Sequence, residues 1–220
     1  NSSNLKNFTK NIIALNLKNV DGFLIPKCEY SDKISKEINV IKKNFNYKFK
    51  LILLIESHKG ILNLEKILSK KNLKYIDALM FGHEDFSADI LKYFYEDFSF
   101  YKNFRHTILL HAKSNDLLAL DTPTLEISSQ KKINNYFKLS FKDGFDGALI
   151  IHPNQINSAN KNYTPSLKDF NNSIQINKIS KKLNSIFIYK KRFIGPPIIK
   201  RALNIKKRYE QITSFKKENL

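Results

Sequence analysis

Five short, nearly unbroken apolar runs, each followed by a stretch with helical spacing, decide most of what this chain can become. The runs are Gly22-Phe-Leu-Ile-Pro-Lys27, Lys50-Leu-Ile-Leu-Leu-Ile-Glu56, Asp77-Ala-Leu-Met-Phe-Gly82, Leu117-Leu-Ala-Leu-Asp121 and Gly147-Ala-Leu-Ile-Ile-His152. A strand with one wet face alternates polar and apolar residues. These do not, so they suit strands covered on both faces, as in a parallel sheet. Between them, Ile34, Ile38 and Ile41 form one apolar helical stripe, and Ile61, Leu64, Ile67 and Leu68 form another. Thr107-Ile-Leu-Leu-His-Ala112 has strand-like content. However, Phe104, Ile108, Leu109 and Ala112 share one helical face, and the run at 117–121 follows too closely for another parallel crossover. Residues 101–115 therefore read as a helix ended by Asn115-Asp116. The predicted order is β-α-β-α-β-α-β-α-β.

Beyond Tyr163-Thr-Pro-Ser166 the pattern changes to Lys/Asn-rich helical material without strand runs, with one helix from Ser166 and another after Pro196-Pro197. The predicted division is residues 1–165 as the sheet-bearing part and 166–220 as a helical extension for oligomerisation or covering the site. The net charge of +18 is concentrated there, with 14 Lys/Arg against 3 acids in residues 166–220. Lysine outnumbers arginine 34 to 4, whereas arginine is the residue expected where phosphates or bases are gripped in pairs. Nucleic acid is therefore not the expected partner. No apolar stretch is long enough for a membrane span, so no membrane partner is expected either. The single cysteine, Cys28, rules out an internal disulfide framework, reads as structural, and points to a reducing, cytoplasmic compartment.

The chemistry gathers at strand ends. Glu56 and Asp85 lie 29 positions apart, each where an apolar run stops. That separation matches one strand, a crossover helix and the next strand, so both acids emerge on the same rim of a parallel sheet. Two hard oxygen ligands on one rim suit Mg²⁺; the plainer reading is a pair of strand-end carboxylates neutralised by lysines. Asp121 ends a strand on the same rim, as a substrate contact or a helix cap. His152 precedes Pro153 at the last strand end, as a general base or a packed, hydrogen-bonded imidazole. Lys27 reaches an anionic substrate or pairs with Glu29. Glu84 reads as a structural hydrogen-bonding group, and Arg105 as a helix-to-core salt-bridge residue.

Several phrases then occur in a telling order: Asp21-Gly-Phe-Leu-Ile-Pro-Lys-Cys-Glu29, Leu54-Ile-Glu-Ser-His-Lys-Gly60, Phe81-Gly-His-Glu-Asp-Phe-Ser87, Ala119-Leu-Asp-Thr-Pro123 and Gly144-Phe-Asp-Gly-Ala-Leu-Ile-Ile-His-Pro-Asn-Gln-Ile156. Asn160-Lys-Asn-Tyr-Thr-Pro-Ser166 and Phe193-Ile-Gly-Pro-Pro197 extend the series into the tail. Together they resemble the citrate lyase beta-subunit family of the HpcH/HpaI aldolase group. The resemblance implies a (β/α)₈ TIM barrel and a Mg²⁺-dependent carbon–carbon lyase or aldolase. Its substrates would be small 3-hydroxy-acid thioesters of the citryl, malyl or citramalyl type, carried on coenzyme A or an acyl carrier. It also implies a homo-oligomer, trimer or larger, and it puts the metal on Glu56 and Asp85, with Glu56 also positioning substrate.

Two departures from the family pattern stand out. The chain begins just before the family's fourth strand, so it carries about the last five βα units and lacks the first three. None of Arg105, Arg192, Arg201 or Arg208 matches the substrate-binding arginine of those units. The expectation is a longer complete protein, with this chain alone inactive. In addition, Gly195 stands where family members with lyase activity often carry an aspartate. A catalytically silent relative acting as a binding or scaffold protein is the alternative reading.

Overall fold

The computed structural model describes residues 5–14, 20–45, 49–88, 101–183 and 186–218. The chain divides into two compact units, residues 1–156 and 157–220. The helix at Ile156–Tyr163 begins at the division.

The first unit opens with helix α1 (Leu5–Ala14) and strand β1 (Gly22–Ile25), then helix α2 (Ser31–Asn44) and strand β2 (Lys50–Ile55). Three short helices follow: α3 (His58–Leu62), α4 (Leu64–Ile67) and α5 (Lys70–Leu73). Strand β3 (Ala78–Phe81) leads into α6 (His83–Ala88). Next come α7 (Lys102–Ser114), β4 (Leu118–Asp121), α8 (Gln130–Asp143), β5 (Gly147–Ala148) and a 3-10 turn at Pro153–Gln155. The five strands form one sheet in the order β1-β2-β3-β4-β5, every pair parallel. Parallel strands in sequence order with intervening helices are the arrangement of consecutive βα units in a (β/α) barrel, as predicted. All four residues of β3 are buried, which is why that stretch carries no polar alternation.

The Ile34, Ile38 and Ile41 stripe is buried as its spacing required, and Ile108 and Ala112 bury one face of α7. The stripe from Ile61 to Leu68 differs. It is cut between two short helices, with Asn63 closing α3 and Leu68 closing α4. Asn72 explains part of the break. Its amide donates to Ile67 O at 3.1 Å, and its side-chain oxygen accepts from Ser35 Oγ at 2.7 Å, tying this segment to α2. β5 is also shorter than the apolar run through His152. After it, Leu149 still donates to Asp121 O at 3.1 Å, and then the chain turns into the 3-10 segment.

One core residue is out of character. Glu37 on α2 is 2% exposed, and its Oε2 has no hydrogen-bond partner among the described residues. Burial pushes its carboxyl above the usual glutamate range, with Lys33 one turn earlier partly opposing the shift. A raised carboxyl favours the fold most below the unfolded value of 4.5, and that contribution is lost as pH rises through the folded value. Glu37→Gln is therefore expected to gain on the order of 1 kcal/mol at neutral pH. The gain should shrink as the pH falls towards the glutamate range. Urea melts across that window check this, and a pH-independent difference would refute it.

The second unit contains helix α9 (Ile156–Tyr163), helix α10 (Leu167–Leu183), strands β6 (Phe187–Tyr189) and β7 (Arg192–Ile194), and helix α11 (Pro196–Glu218). Phe170 of α10 stacks on Tyr209 of α11 with ring centroids 4.2 Å apart. Pro196 and Pro197 open α11, and Gly195 O accepts from Ile198 N and Ile199 N at 3.0 and 3.1 Å. The antiparallel hairpin β6-β7 corrects the expectation of a strandless tail. Its two-residue turn is Lys190-Lys191, both at positive φ (48° and 62°). That geometry normally advertises itself as Asn-Gly or Asp-Gly, and two lysines gave no such signal.

Candidate active site

The sequence places acids at strand ends, and the sheet register brings two of them together. β2 ends at Ile55 and β3 at Phe81, paired in register, so Glu56 and Gly82 leave the sheet side by side. Gly82 N donates to Ile55 O at 3.0 Å, extending the ladder by one bond. α6 starts immediately afterwards and carries Asp85 in its first turn. The two loops are also tied by rings: His58 of α3 lies 4.1 Å from Phe86 of α6, centroid to centroid.

Glu56 is buried and oriented. Its Oε1 accepts the backbone N–H of Lys27 at 2.8 Å. Lys27 adopts φ 52°, an uncommon conformation for a residue with a side chain, and it turns this N–H towards the carboxylate. The contribution of Lys27 visible in the structure is thus a main-chain donor; its side chain is exposed. On the other flank, a Cβ added to Gly82 would lie 2.8 Å from Glu56 Cβ and 3.2 Å from Oε2. The space that Glu56 occupies exists because residue 82 has no side chain.

Burial is the largest cause lifting the Glu56 carboxyl above its ordinary range. The Lys27 N–H opposes it, and Asp85 adds to it both as a like charge and as a hydrogen-bonding neighbour. The two acids are therefore close enough to compete for charge, with Asp85 on the exposed side. Paired hard oxygens under mutual repulsion fit a divalent cation of the Mg²⁺ type. Among the described residues, no cluster of three or more Asp, Glu, His or Cys side chains is placed to hold a metal. The donor set suits an ion that takes one or two carboxylates and fills its shell with water and substrate oxygens, rather than a closed protein cage.

The other predicted residues fall elsewhere. The substrate contact and helix cap expected of Asp121 give way to a buried ion pair. It is 0% exposed; Arg105 Nε donates to its Oδ1 at 3.0 Å, and Arg105 Nη2 and Ser140 Oγ reach its Oδ2. Ser129, with its hydroxyl accepting from Lys132 N, caps α8 instead. Arg105 is the predicted helix-to-core bridge, and its Nη1 also donates to Asp143 Oδ2 at 2.9 Å. His152 is a half-buried ring at the head of the 3-10 turn, with Nδ1 accepting from Asn154 N at 3.2 Å. Cys28 is buried, donates to Ile25 O at 3.1 Å, and has its thiol pushed up by burial, as a structural residue should. In the second unit, a Cβ added to Gly195 would meet only Pro197 Cδ, at 3.9 Å.

Residue-by-residue reading of the chain missed Gly82, His83 and Thr122. Gly82 was legible as a glycine between a strand and an acidic helix start. The other two were legible only through space: Thr122 Oγ1 accepts His83 N at 3.2 Å and also touches His83 Nδ1, contacts 39 residues apart in sequence.

Sequential parallel strands with paired acids at their carboxyl ends define a βα-barrel chain with an acidic rim site. The sequence profile of the HpcH/HpaI aldolase/citrate lyase family matches residues 1–153, and the chain belongs to that family. It is 26% identical over 202 residues to the mitochondrial citramalyl-CoA lyase of Rattus norvegicus, covering 84% of this chain and 59% of that protein's length. The citrate lyase beta subunit of Mycobacterium tuberculosis, solved with oxaloacetate and magnesium, is 25% identical with a TM-score of 0.54. That match covers 66% of this chain and 62% of the other. A CitE structure from the same organism, with magnesium, acetoacetate and coenzyme A, gives a TM-score of 0.69 at 22% identity over 91% of this chain and 73% of that one. Among the described residues, no helix is long and apolar enough to cross a membrane.

Proposed function

We propose that this chain belongs to a Mg²⁺-dependent carbon–carbon lyase acting on a small 3-hydroxy-acid thioester of coenzyme A or an acyl carrier. Glu56 and Asp85 would hold the metal. The observation that carries this reading is the meeting of these two carboxylates on one strand-end rim, with Glu56 locked from one side by the Lys27 N–H and unobstructed on the other by Gly82. The names and bound ligands of the relatives supply the substrate class: citramalyl-CoA for the rat protein, oxaloacetate with magnesium for the mycobacterial one.

Cleavage of a 3-hydroxy acyl thioester breaks the bond between C2 and C3, leaving a keto product and an enolate of the thioester after the hydroxyl proton is removed. A divalent cation, when bound, supplies charge stabilisation for oxygens that become negative in such a step. This chain's own part is to hold that charge in place. Glu56 has one oxygen fixed by a main-chain donor, so this carboxylate is held in place before the reaction begins. We also propose that the protein works as a homo-oligomer, trimer or larger, through the second unit. Supporting this, Ile188 and Phe193, paired across the hairpin, are 75% and 67% exposed.

The test is a Mg²⁺ titration followed by thermal unfolding, comparing wild type with Glu56→Gln. At Mg²⁺ about a hundredfold above its dissociation constant, the ion is expected to stabilise wild type by roughly 2.7 kcal/mol. In a protein this size that is about 5–10 °C in Tm. Glu56→Gln should show no such shift. Superimposable Mg²⁺ curves for the two proteins would leave the scaffold reading ahead, which the glycine at position 195 favours.

A further inference from the structure

Asp85 is exposed and sits in the first turn of the short helix α6, which sets where its backbone lies. α6 grips the fold through His83, Phe86 and Ser87, all buried. Phe86 lies among rings, with Phe104 at 4.7 Å and Phe81 at 5.6 Å between centroids. Ring contacts of this kind are broad in orientation and leave a six-residue helix free to roll. Directional bonds come from elsewhere. His83 N donates to Thr122 Oγ1 at 3.2 Å, the His83 ring meets the same hydroxyl through Nδ1, and its Nε2 lies 2.6 Å from Glu84 Oε1. Ser87 Oγ and Tyr101 OH add a bond of 2.6 Å at the far end of the helix.

Thr122 is itself immobilised. It is fully buried, its N–H donates to Asp121 Oδ1 at 2.9 Å, and its carbonyl accepts from Tyr136 OH at 2.5 Å. A hydroxyl that accepts a backbone N–H keeps its own proton for the imidazole, so Thr122 Oγ1–H is directed to His83 Nδ1, which leaves the ring proton on Nε2, beside Glu84. The chain of bonds runs from Arg105 through Asp121 and Thr122 to the first residue of α6.

We infer that His83 and Thr122 are a positioning pair, which fixes the first turn of α6 and thereby holds Asp85 opposite Glu56 at the spacing a shared cation needs. This rests on the metal reading above. Groups that orient metal ligands without touching the metal are worth roughly 10–100-fold in affinity in other sites. The same range applies here because a two-carboxylate site has no third ligand to compensate for a displaced one.

The test is calorimetric titration of Mg²⁺ into the complete chain, wild type against His83→Ala, Thr122→Val and Thr122→Ser, with metal-free Tm measured in parallel. Thr122→Val keeps the shape and removes the hydroxyl; Thr122→Ser keeps the hydroxyl and trims a methyl. Thr122→Val and His83→Ala are expected to weaken Mg²⁺ binding roughly tenfold or more, while Thr122→Ser stays near wild type. A fall in metal-free Tm with the Mg²⁺ constant unchanged in Thr122→Val would make the pair merely structural and overturn the inference. Wild-type protein that binds no Mg²⁺ would overturn the metal reading and this inference with it. Wild-type binding with an unaltered Thr122→Val overturns this inference alone.

Discussion

Replacing Arg105 with methionine is expected to cost the fold about 3–5 kcal/mol. The guanidinium is 3% exposed, forks onto both oxygens of Asp121, reaches Asp143, and lies over the Phe145 ring at 5.0 Å. Methionine fills similar volume but leaves the Asp121 carboxylate buried with, among the described residues, only Ser140 Oγ and the Thr122 N–H as donors. An unpaired buried charge is far costlier than a pair replaced outright. The double variant Arg105→Met with Asp121→Leu should therefore recover most of the loss. Denaturant melts of the four proteins in that cycle decide the matter. Additive losses would mean the two side chains do not act as one unit. Because Thr122 hangs on Asp121, the single variant should also bind Mg²⁺ more weakly.

The second large effect is expected at Gly82. Alanine there places a methyl 2.8 Å from Glu56 Cβ and 3.1 Å from Leu54 Cδ1. The first of these, the root of the carboxylate, is held by the backbone and cannot swing aside as a side-chain end could. Something must move, and overpacking of this kind costs roughly 1–3 kcal/mol. The least anchored atom in reach is Glu56 Oε2, also 3.2 Å away, so the carboxylate is expected to rotate away from its present orientation. Mg²⁺ affinity is then expected to drop tenfold or more, on the scale seen when metal ligands are mis-oriented. Gly82→Ala with wild-type Tm and wild-type Mg²⁺ affinity would refute the close-approach account.

The parallel sheet was legible because burial on both faces leaves a compositional mark: Leu51-Ile-Leu-Leu-Ile55 and Ala78-Leu-Met-Phe81 have no polar alternation to mistake. The helix over 101–115 was legible for the complementary reason, since Ile108 and Ala112 recur with helical spacing on the buried side. The hairpin at 187–194 was not. Its strands are three residues each, and its turn is built from residue types that carry no turn signal.

At the rim, Glu56 and Asp85 could be paired on paper from the βα period alone. Their supports could not. The donor that fixes Glu56 is a main-chain N–H, which every residue but proline possesses, and its direction depends on one positive φ at Lys27. Asp121 was misread because a strand-end acid looks the same in sequence whether it faces the substrate or a buried arginine 16 residues away. Sequence patterns report periodicity and composition; they do not report which neighbour satisfies a given oxygen.

The small hole beside Gly195 has an evolutionary meaning. Among the described residues, only a proline ring edge borders the missing side chain, and the carbonyl there already anchors the turn that launches α11. A Cβ could be gained or shed at that spot without a close contact to the described residues around it. Position 195 can thus exchange glycine for a small side chain at little structural expense.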